Sequence, residues 1–124
     1  MAFSIRKRLG SFRHAFRGAA TILRTQHNTW IHLVATVLVV SLGWCFSLGS
    51  SEWIAVALAI GLVWLAEALN TAVEFLADEV SRDQRELIGK AKDAAAAGVL
   101  FAALTALIVG ILVFAPHLRD LGGP

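Results

Sequence analysis

Three long apolar segments constrain the fold of this chain more than any other feature. They cover residues 30–48, 53–76 and 94–115 of the 124-residue sequence. Each segment is long enough to cross a hydrocarbon core of about 30 Å at about 1.5 Å per helical residue. The composition agrees, since 57% of the residues are hydrophobic and only 16% are charged. The sequence therefore predicts an all-α integral membrane protein, with three transmembrane helices in one domain spanning residues 1–124.

The N-terminal segment has a different pattern. Residues 3–25 repeat apolar side chains at steps of three and four, including Phe12 and Phe16, while arginines occupy another face. This pattern predicts an amphipathic helix that lies in the membrane interface, with its basic face beside anionic headgroups. A helix packed on a partner protein is the alternative.

The distribution of positive charge predicts the orientation of the spans. Of the 11 Lys and Arg residues, six lie at positions 6–24 and four lie between Arg82 and Lys92. Basic segments flanking transmembrane helices remain on the cytoplasmic side. We therefore expect both basic segments in the cytoplasm, with the turn at residues 49–52 and the C-terminal tail outside.

A polar stripe interrupts the second apolar segment. At about 100° per helical residue, Glu67, Asn70, Glu74 and Asp78 fall within an arc of roughly 60°, with Thr71 at its edge. A carboxylate at membrane depth is costly unless it faces protein, water, metal or substrate. The stripe is therefore a candidate functional site near the cytoplasmic surface.

Less specific interpretations of the same residues remain open. Glu67 could be a protonated acid bonded across helices, and Asn70 an amide link between helices. Asp78 could cap or solvate the end of its helix. The charged residues that follow it are by default a solvated face.

The third apolar segment repeats small residues at every fourth position, a spacing that lets helices approach closely in lipid. Because three spans form only a small bundle, we expect the chain to self-associate and shield its polar stripe. Helix-forming alanines without a packing role are the alternative. These small residues, called the seam below, are Ala94, Gly98, Ala102, Ala106 and Gly110.

The sequence contains none of the phosphate-binding glycine loops, cysteine pairs or zinc-binding helix motifs of soluble enzymes. What remains is a carboxylate stripe near Lys92 and Asp93, beneath a basic helix. Carboxylates can hold Mg²⁺ on nucleotide phosphates, a lysine can neutralise them, and another carboxylate can accept a hydroxyl proton. These are the groups that phosphoryl transfer requires.

The stripe and the segment that follows it resemble the signature of the prokaryotic diacylglycerol kinase family. The resemblance rests on Glu67-x-x-Asn70-Thr71-Ala72-x-Glu74-x-x-x-Asp78, followed by Glu86-Leu87-x-Gly89-x-Ala91-Lys92-Asp93. It extends to the basic N-terminal segment and to Asn28-x-x-Ile31-His32 before the first span. Within this family, Gram-positive members act on undecaprenol.

The resemblance implies a homotrimer in the bacterial inner membrane that transfers the ATP γ-phosphate to a lipid hydroxyl, with Mg²⁺, at sites between protomers. Glu67 is then the general base and Asn70 its neighbour, while Glu74 binds Mg²⁺ and nucleotide phosphate. The other implied nucleotide-site residues are His14, Arg17, Asp83, Arg85, Lys92 and Asp93.

Gln26 departs from the family pattern. Many members have a second metal-binding glutamate before the first span, and Gln26 stands in that place here. An amide oxygen can bind Mg²⁺ but carries no charge. We therefore expect weaker metal binding, or fewer metal ions, if Gln26 is a ligand.

These residues lead to one main hypothesis and two rivals. The main one is a lipid kinase that phosphorylates diacylglycerol to phosphatidic acid, with undecaprenol as the alternative acceptor. We expect ATP, the lipid alcohol and the membrane as partners, and no nucleic acid. The rivals are a small proton-coupled transporter and a noncatalytic membrane scaffold. Polar groups crowded on one side argue against the transporter.

Overall fold

The computed structural model describes residues 5–80 and 85–121, and this part of the chain is helical without a β-strand. Helix α1 covers Ile5–Thr25, α2 His27–Cys45, α3 Ser50–Val80 and α4 Glu86–Leu121. Long runs of Leu, Val, Ile and Ala favour these helices, and an internal helical hydrogen bond satisfies each backbone group without water.

Three of the helices are long and apolar enough to cross a membrane. They contain 19, 31 and 36 residues in chain order. At about 1.5 Å per residue, α2 matches a hydrocarbon core, whereas α3 and α4 extend beyond one. The prediction of an all-α fold with three helices long and apolar enough to cross a membrane is confirmed for the described residues.

The connection between α2 and α3 is tight. The Phe46 N–H donates to the Leu42 carbonyl over 2.9 Å, and the Ser47 N–H donates to the Trp44 carbonyl over 3.1 Å. Ser47 adopts φ 53°. The Leu48 N–H then donates to the Gly43 carbonyl over 3.1 Å. A single left-handed residue here ends α2 and satisfies carbonyls of its last turn. The chain reverses within four residues, 46–49.

The small hydrophobic core lies beside this turn. Leu48, Val56 and Val113 are buried together and bring the turn, α3 and α4 into contact. Phe46 and Phe114 pack with ring centroids 6.0 Å apart. Beside them, the His117 ring nitrogen lies 2.8 Å from the Glu52 carboxylate. These contacts fix the end of the bundle opposite the polar stripe.

Helices α3 and α4 make the most extensive contact in the structure. Of the small residues along α4, only Ala102 is buried, whereas Ala106 and Gly110 line cavities and Ala94 and Gly98 are exposed. Part of the seam therefore packs within the chain, and part remains available to lipid or another copy.

Two predictions from the sequence were wrong. Because proline usually ends a helix, the third apolar segment is predicted to close at Pro116, and the charged segment before it predicts a loop near Gly89. Both residues instead lie inside α4. Pro116 removes one backbone donor only about one turn and a half before the helix ends, where a membrane helix tolerates the loss. The sequence Gln26-His27-Asn28-Thr29 also predicts a polar break before the first span, but Gln26 alone separates α1 from α2.

Candidate active site

The polar stripe lies on one uninterrupted helix, since α3 continues to Val80. Glu67 is 3% exposed and Thr71 is 1% exposed, whereas Glu74 is half-buried and Asp78 is exposed. Glu67 and Glu74 are separated by two turns, or about 10.5 Å along the axis. The stripe therefore runs from a buried carboxylate to an exposed one.

Glu74 is held by two side-chain amides. Gln26 Nε2 donates to one carboxylate oxygen over 2.9 Å, and Asn70 Nδ2 donates to the other over 3.2 Å. Gln26 has an extended backbone between α1 and α2, and this places its side chain against α3. Two neutral donors can orient a carboxylate without neutralising its charge. Glu74 is thus positioned from its own helix and from the junction between α1 and α2.

Glu67 has a different environment. His32 Nε2 on α2 lies 3.8 Å from Glu67 Oε2, which is within ion-pair range but too long for a hydrogen bond. The Thr71 hydroxyl donates to the Glu67 backbone carbonyl over 2.9 Å, so it does not engage the carboxylate. A buried carboxylate can accept a proton from a bound hydroxyl.

Two oxygens in this region lack hydrogen-bond partners within the described part of the chain: Thr29 Oγ1 and Asn70 Oδ1 are both buried. A buried polar atom without a partner costs about 1–3 kcal/mol of folding free energy. Such atoms in a native site indicate strain, water or a ligand. Asn70 is on the same helix face as Glu74, so its free oxygen lies beside the polar stripe.

The start of α4 supplies the cationic side of the site. Lys92 Nζ lies 3.0 Å from Asp78 Oδ1 and joins α4 to the exposed end of the stripe. Asp93 is exposed, and Arg85 is exposed just before α4. The structure therefore brings Lys92 to the stripe, while Asp83 lies outside the described residues.

His14 and Arg17 lie on the exposed surface of α1. Helix α1 contacts α2 and α3, so its position is tied to the bundle. Phe12 and Phe16 are also exposed. The structure gives neither His14 nor Arg17 a side-chain contact with the stripe.

The donor set around Glu74 suits only one kind of metal site. Among residues 5–80 and 85–121, no three His, Cys, Asp or Glu side chains are arranged to hold a metal ion. Mg²⁺ is commonly bound through one or two carboxylates plus substrate phosphates and water. Glu74 and the free oxygen of Asn70 fit an ion that arrives with a nucleotide. The Gln26 amide could add an oxygen by rotating.

An apolar cavity of about 550 Å³ lies between α2, α3 and α4. His32 lines it together with small residues of α2 and α4, among them Ala35, Ala103 and Gly110. Because His32 also approaches Glu67, the cavity leads toward the buried end of the stripe. An apolar cavity with few polar groups is typical of a small-molecule site.

Sequence reasoning assigned no function to His32 or Thr29. Like Glu67, His32 is an ionisable side chain within an apolar span and therefore needs a partner. That rule could have identified His32, although its contact with α3 depends on helix packing. Thr29 offered no comparable signal, since a single hydroxyl in a helix is unremarkable until its burial is seen.

Comparison with known proteins identifies relatives over most of the chain. Residues 13–114 match the family described as prokaryotic diacylglycerol kinase. The chain is 38% identical over 108 residues to the undecaprenol kinase of Bacillus subtilis (strain 168), covering 87% of this chain and 88% of that protein. It is also 39% identical over 114 residues to a diacylglycerol kinase of Synechocystis, covering 91% and 65% respectively.

A shorter match, 36% identical over 59 residues and 48% of each chain, is to the diacylglycerol kinase of Escherichia coli (strain K12). The family match includes every candidate residue from His14 to Asp93. This chain therefore belongs to the prokaryotic diacylglycerol kinase family.

Proposed function

We propose that this protein is a membrane lipid kinase that transfers the γ-phosphate of ATP to the hydroxyl of a lipid alcohol. The observation that carries the proposal is the gradient along α3, from buried Glu67, which approaches the cavity-lining residue His32, to Glu74 and the exposed Asp78–Lys92 pair. A lipid acceptor needs the apolar end, and a nucleotide needs the polar end. Family membership supports the same reaction.

Glu67 is the proposed general base. Its carboxylate accepts the proton of the lipid hydroxyl as that oxygen forms a bond to the γ-phosphorus. The bond between the γ-phosphorus and the bridging oxygen breaks at the same time, and ADP leaves. The helix holds Glu67 in a fixed position, and catalysis of this kind depends mainly on such placement.

Glu74 and the neighbouring amides form the proposed Mg²⁺ and phosphate site. When bound, Mg²⁺ would supply positive charge at the phosphate oxygens, where negative charge increases during transfer. Glu74 would be its anionic protein ligand, with Asn70 and Gln26 as neutral oxygen donors. Because only one carboxylate is present there, the site should bind Mg²⁺ weakly without nucleotide.

The remaining proposed nucleotide contacts come from α1 and the start of α4. Lys92 lies close to the stripe. It would neutralise phosphate charge if its ammonium group left the ion pair with Asp78 and contacted the nucleotide. Arg85 and Asp93 are exposed on the same segment, and Asp83 belongs to it by sequence. His14 and Arg17 on α1 would cover the nucleotide from the membrane surface.

The proposed assembly is a homotrimer in the bacterial inner membrane, with its sites facing the cytoplasm. Many large apolar side chains of this chain are exposed, and lipid or other copies must cover them. Light scattering in detergent should give a protein mass of three chains of 13.3 kDa each. A monomeric mass in an active preparation would contradict the trimer.

The acceptor is either diacylglycerol or undecaprenol. Diacylglycerol follows from the family description, whereas undecaprenol is supported by the Bacillus relative, which matches 87% of this chain. The two acceptors lead to different products, phosphatidic acid and undecaprenyl phosphate. Both reactions use the same proposed residues.

The test is phosphate transfer from γ-labelled ATP by the purified protein in micelles. Diacylglycerol and undecaprenol are supplied separately, each with Mg²⁺ and with a chelator. We expect a labelled lipid that depends on both Mg²⁺ and the added alcohol, and the better substrate identifies the acceptor. A folded preparation that labels neither lipid would contradict the proposed function.

A further inference from the structure

One hydrogen bond between side chains joins α2 to α3 in the part of the chain that the structure describes. Trp64 Nε1 on α3 donates to Thr36 Oγ1 on α2 over 3.0 Å. The same hydroxyl donates to the His32 carbonyl over 2.7 Å, one turn earlier in α2. The Thr36 oxygen is therefore engaged both as a donor and as an acceptor, which fixes its orientation. We refer to this contact as the Trp64–Thr36 brace.

The brace lies one turn from the contact between His32 and Glu67. Trp64 precedes Glu67 by three residues on α3, and Thr36 follows His32 by four residues on α2. Residues three or four apart are neighbours on one face of a helix. The two contacts are therefore successive links between the same faces of α2 and α3, at 3.0 Å for the brace and 3.8 Å for His32 Nε2 to Glu67 Oε2. A slide or rotation of α2 against α3 would change both distances together.

Glu67 needs an indirect support of this kind. Its carboxylate accepts no hydrogen bond within the described residues, and the Thr71 hydroxyl holds only the Glu67 backbone carbonyl. Glu74, in contrast, is held directly by two amides. Hydrogen bonds to the Glu67 carboxylate would fix its position but would also lower its basicity, and a general base needs a free lone pair toward the hydroxyl. The brace can hold Glu67 in place without contacting its carboxylate.

The position of the brace along α2 gives it control over this region. Helix α3 packs much more extensively against α4 than against α2. Gly43 packs on Trp53 near the C-terminal end of α2, and Gln26 binds Glu74 just before the first residue of α2. The brace lies between these two points, at the level of the buried carboxylate. An indole N–H within an apolar span has no water to bond, so its protein partner matters there.

We propose that Trp64 and Thr36 are positioning residues, which fix α2 against α3 and thereby hold the Glu67 carboxylate where it accepts the proton of the lipid hydroxyl. This rests on the proposed lipid kinase function and adds the pair of residues that positions its general base. Neither side chain contacts a reacting atom, and both act through the geometry of the two helices. A misplacement of about 1 Å can lower a rate about 100-fold, so loss of the brace should reduce kcat.

The test removes the hydrogen bond from either side and measures steady-state kinetics in micelles. Thr36→Val replaces the hydroxyl with a methyl group of similar size, and Trp64→Phe removes the N–H but keeps an aromatic ring. We expect each substitution to reduce kcat about tenfold at saturating lipid, with KM for ATP changed by less than about twofold. Thr36→Ser keeps the hydroxyl, so its kcat should stay within about twofold of that of the unmodified protein.

Two matched controls and a double variant isolate the brace. Thr105→Val removes a hydroxyl that donates to a carbonyl of its own helix over 2.8 Å, and Trp44→Phe removes an exposed indole N–H. Neither control should change kcat. The double variant that combines Thr36→Val with Trp64→Phe should be no slower than the slower single variant, because both substitutions remove the same hydrogen bond.

Three results would overturn the inference. The first is an unchanged kcat in both Thr36→Val and Trp64→Phe. The second is a double variant in which the two losses multiply, because the residues would then act separately. The third is a loss of kcat in both variants that only follows lost thermal stability or a dissociated oligomer, because the brace would then serve folding alone.

These results are distinct from failure of the proposed function itself. If the unmodified protein phosphorylates no lipid alcohol, the kinase proposal fails. If it is active and any of the three results is found, only the assignment of Trp64 and Thr36 fails.

Discussion

The two buried or half-buried carboxylates of α3 show how one helix face can present two kinds of chemistry. Glu67 is surrounded by apolar helices, and His32 is the one ionisable partner it approaches among the described residues, whereas Glu74 receives hydrogen bonds from Gln26 and Asn70. The first environment suits proton acceptance from a lipid, and the second suits a charge shared with metal and phosphate. Helical spacing predicted their common face, but not these different partners.

Gln26 provides a direct test of the Glu74 site. We expect Gln26→Glu to lower the Mg²⁺ concentration needed for half-maximal activity, because a second carboxylate adds an anionic oxygen ligand. The measurement is a Mg²⁺ titration of lipid phosphorylation at saturating ATP. Asn28→Asp adds the same charge at an exposed position nearby and serves as the control. An equal shift in both variants would indicate general electrostatics rather than a ligand at position 26.

Thr29 tests whether its buried hydroxyl contributes to folding. The side chain is 0% exposed and its oxygen has no partner among the described residues. Thr29→Val removes the polar atom with little change in shape, so thermal stability should stay the same or increase by up to about 1 kcal/mol. Thermal unfolding in micelles measures this. A marked loss of stability would show that the hydroxyl has a partner in the assembled protein.

The helices differ in how far the sequence could predict them. The number and position of the apolar helices follow from their length and hydropathy, and the continuation of α3 beyond Asp78 follows from its periodicity. The course of α4 through Pro116 could not be predicted. Proline usually ends a helix, and the sequence does not show whether the surroundings of Pro116 satisfy the backbone group that it leaves unpaired. The pairing of His32 with Glu67 depends on packing between helices, which no spacing within one helix specifies.

Gly43 tests the packing of α2 against α3. A Cβ at this position would lie 2.7 Å from Trp53 Cη2 and 3.1 Å from Leu48 Cδ1. We expect Gly43→Ala to destabilise the protein by about 1–3 kcal/mol, since the Trp53 ring must move. Trp53 also packs on Trp44 at 5.6 Å between centroids, which restricts that movement.

Thermal unfolding of Gly43→Ala is compared with that of Gly61→Ala. No heavy atom in the described part of the chain lies within 4 Å of a Cβ built at Gly61, apart from atoms of its own helix backbone and neighbours. Gly61→Ala should therefore have little effect or stabilise α3. Equal stability of the two variants would contradict the close packing of Gly43 against Trp53.

At the scale of the whole molecule, the chain combines a very small core with extensive apolar exposure. In the described part of the chain, a few side chains around Leu48, Val56 and Val113 form a buried cluster, while large apolar residues are exposed on all three long helices. In a membrane these exposed apolar residues contact lipid. A lipid acceptor would then reach Glu67 directly from the bilayer. Helices α3 and α4 are longer than the hydrocarbon core of a membrane, and the polar end of the stripe lies in the last turns of α3.

The central claim is that Glu67 is the base of a lipid kinase, and Glu67→Gln tests it most directly. Glutamine preserves the size of the side chain but cannot take the hydroxyl proton, so kcat should fall by about 100-fold or more, with ATP binding and the oligomer unchanged. Glu79→Gln, at an exposed position on the same helix, is the control and should remain active. Near-normal transfer to both diacylglycerol and undecaprenol by a folded Glu67→Gln protein would contradict the account.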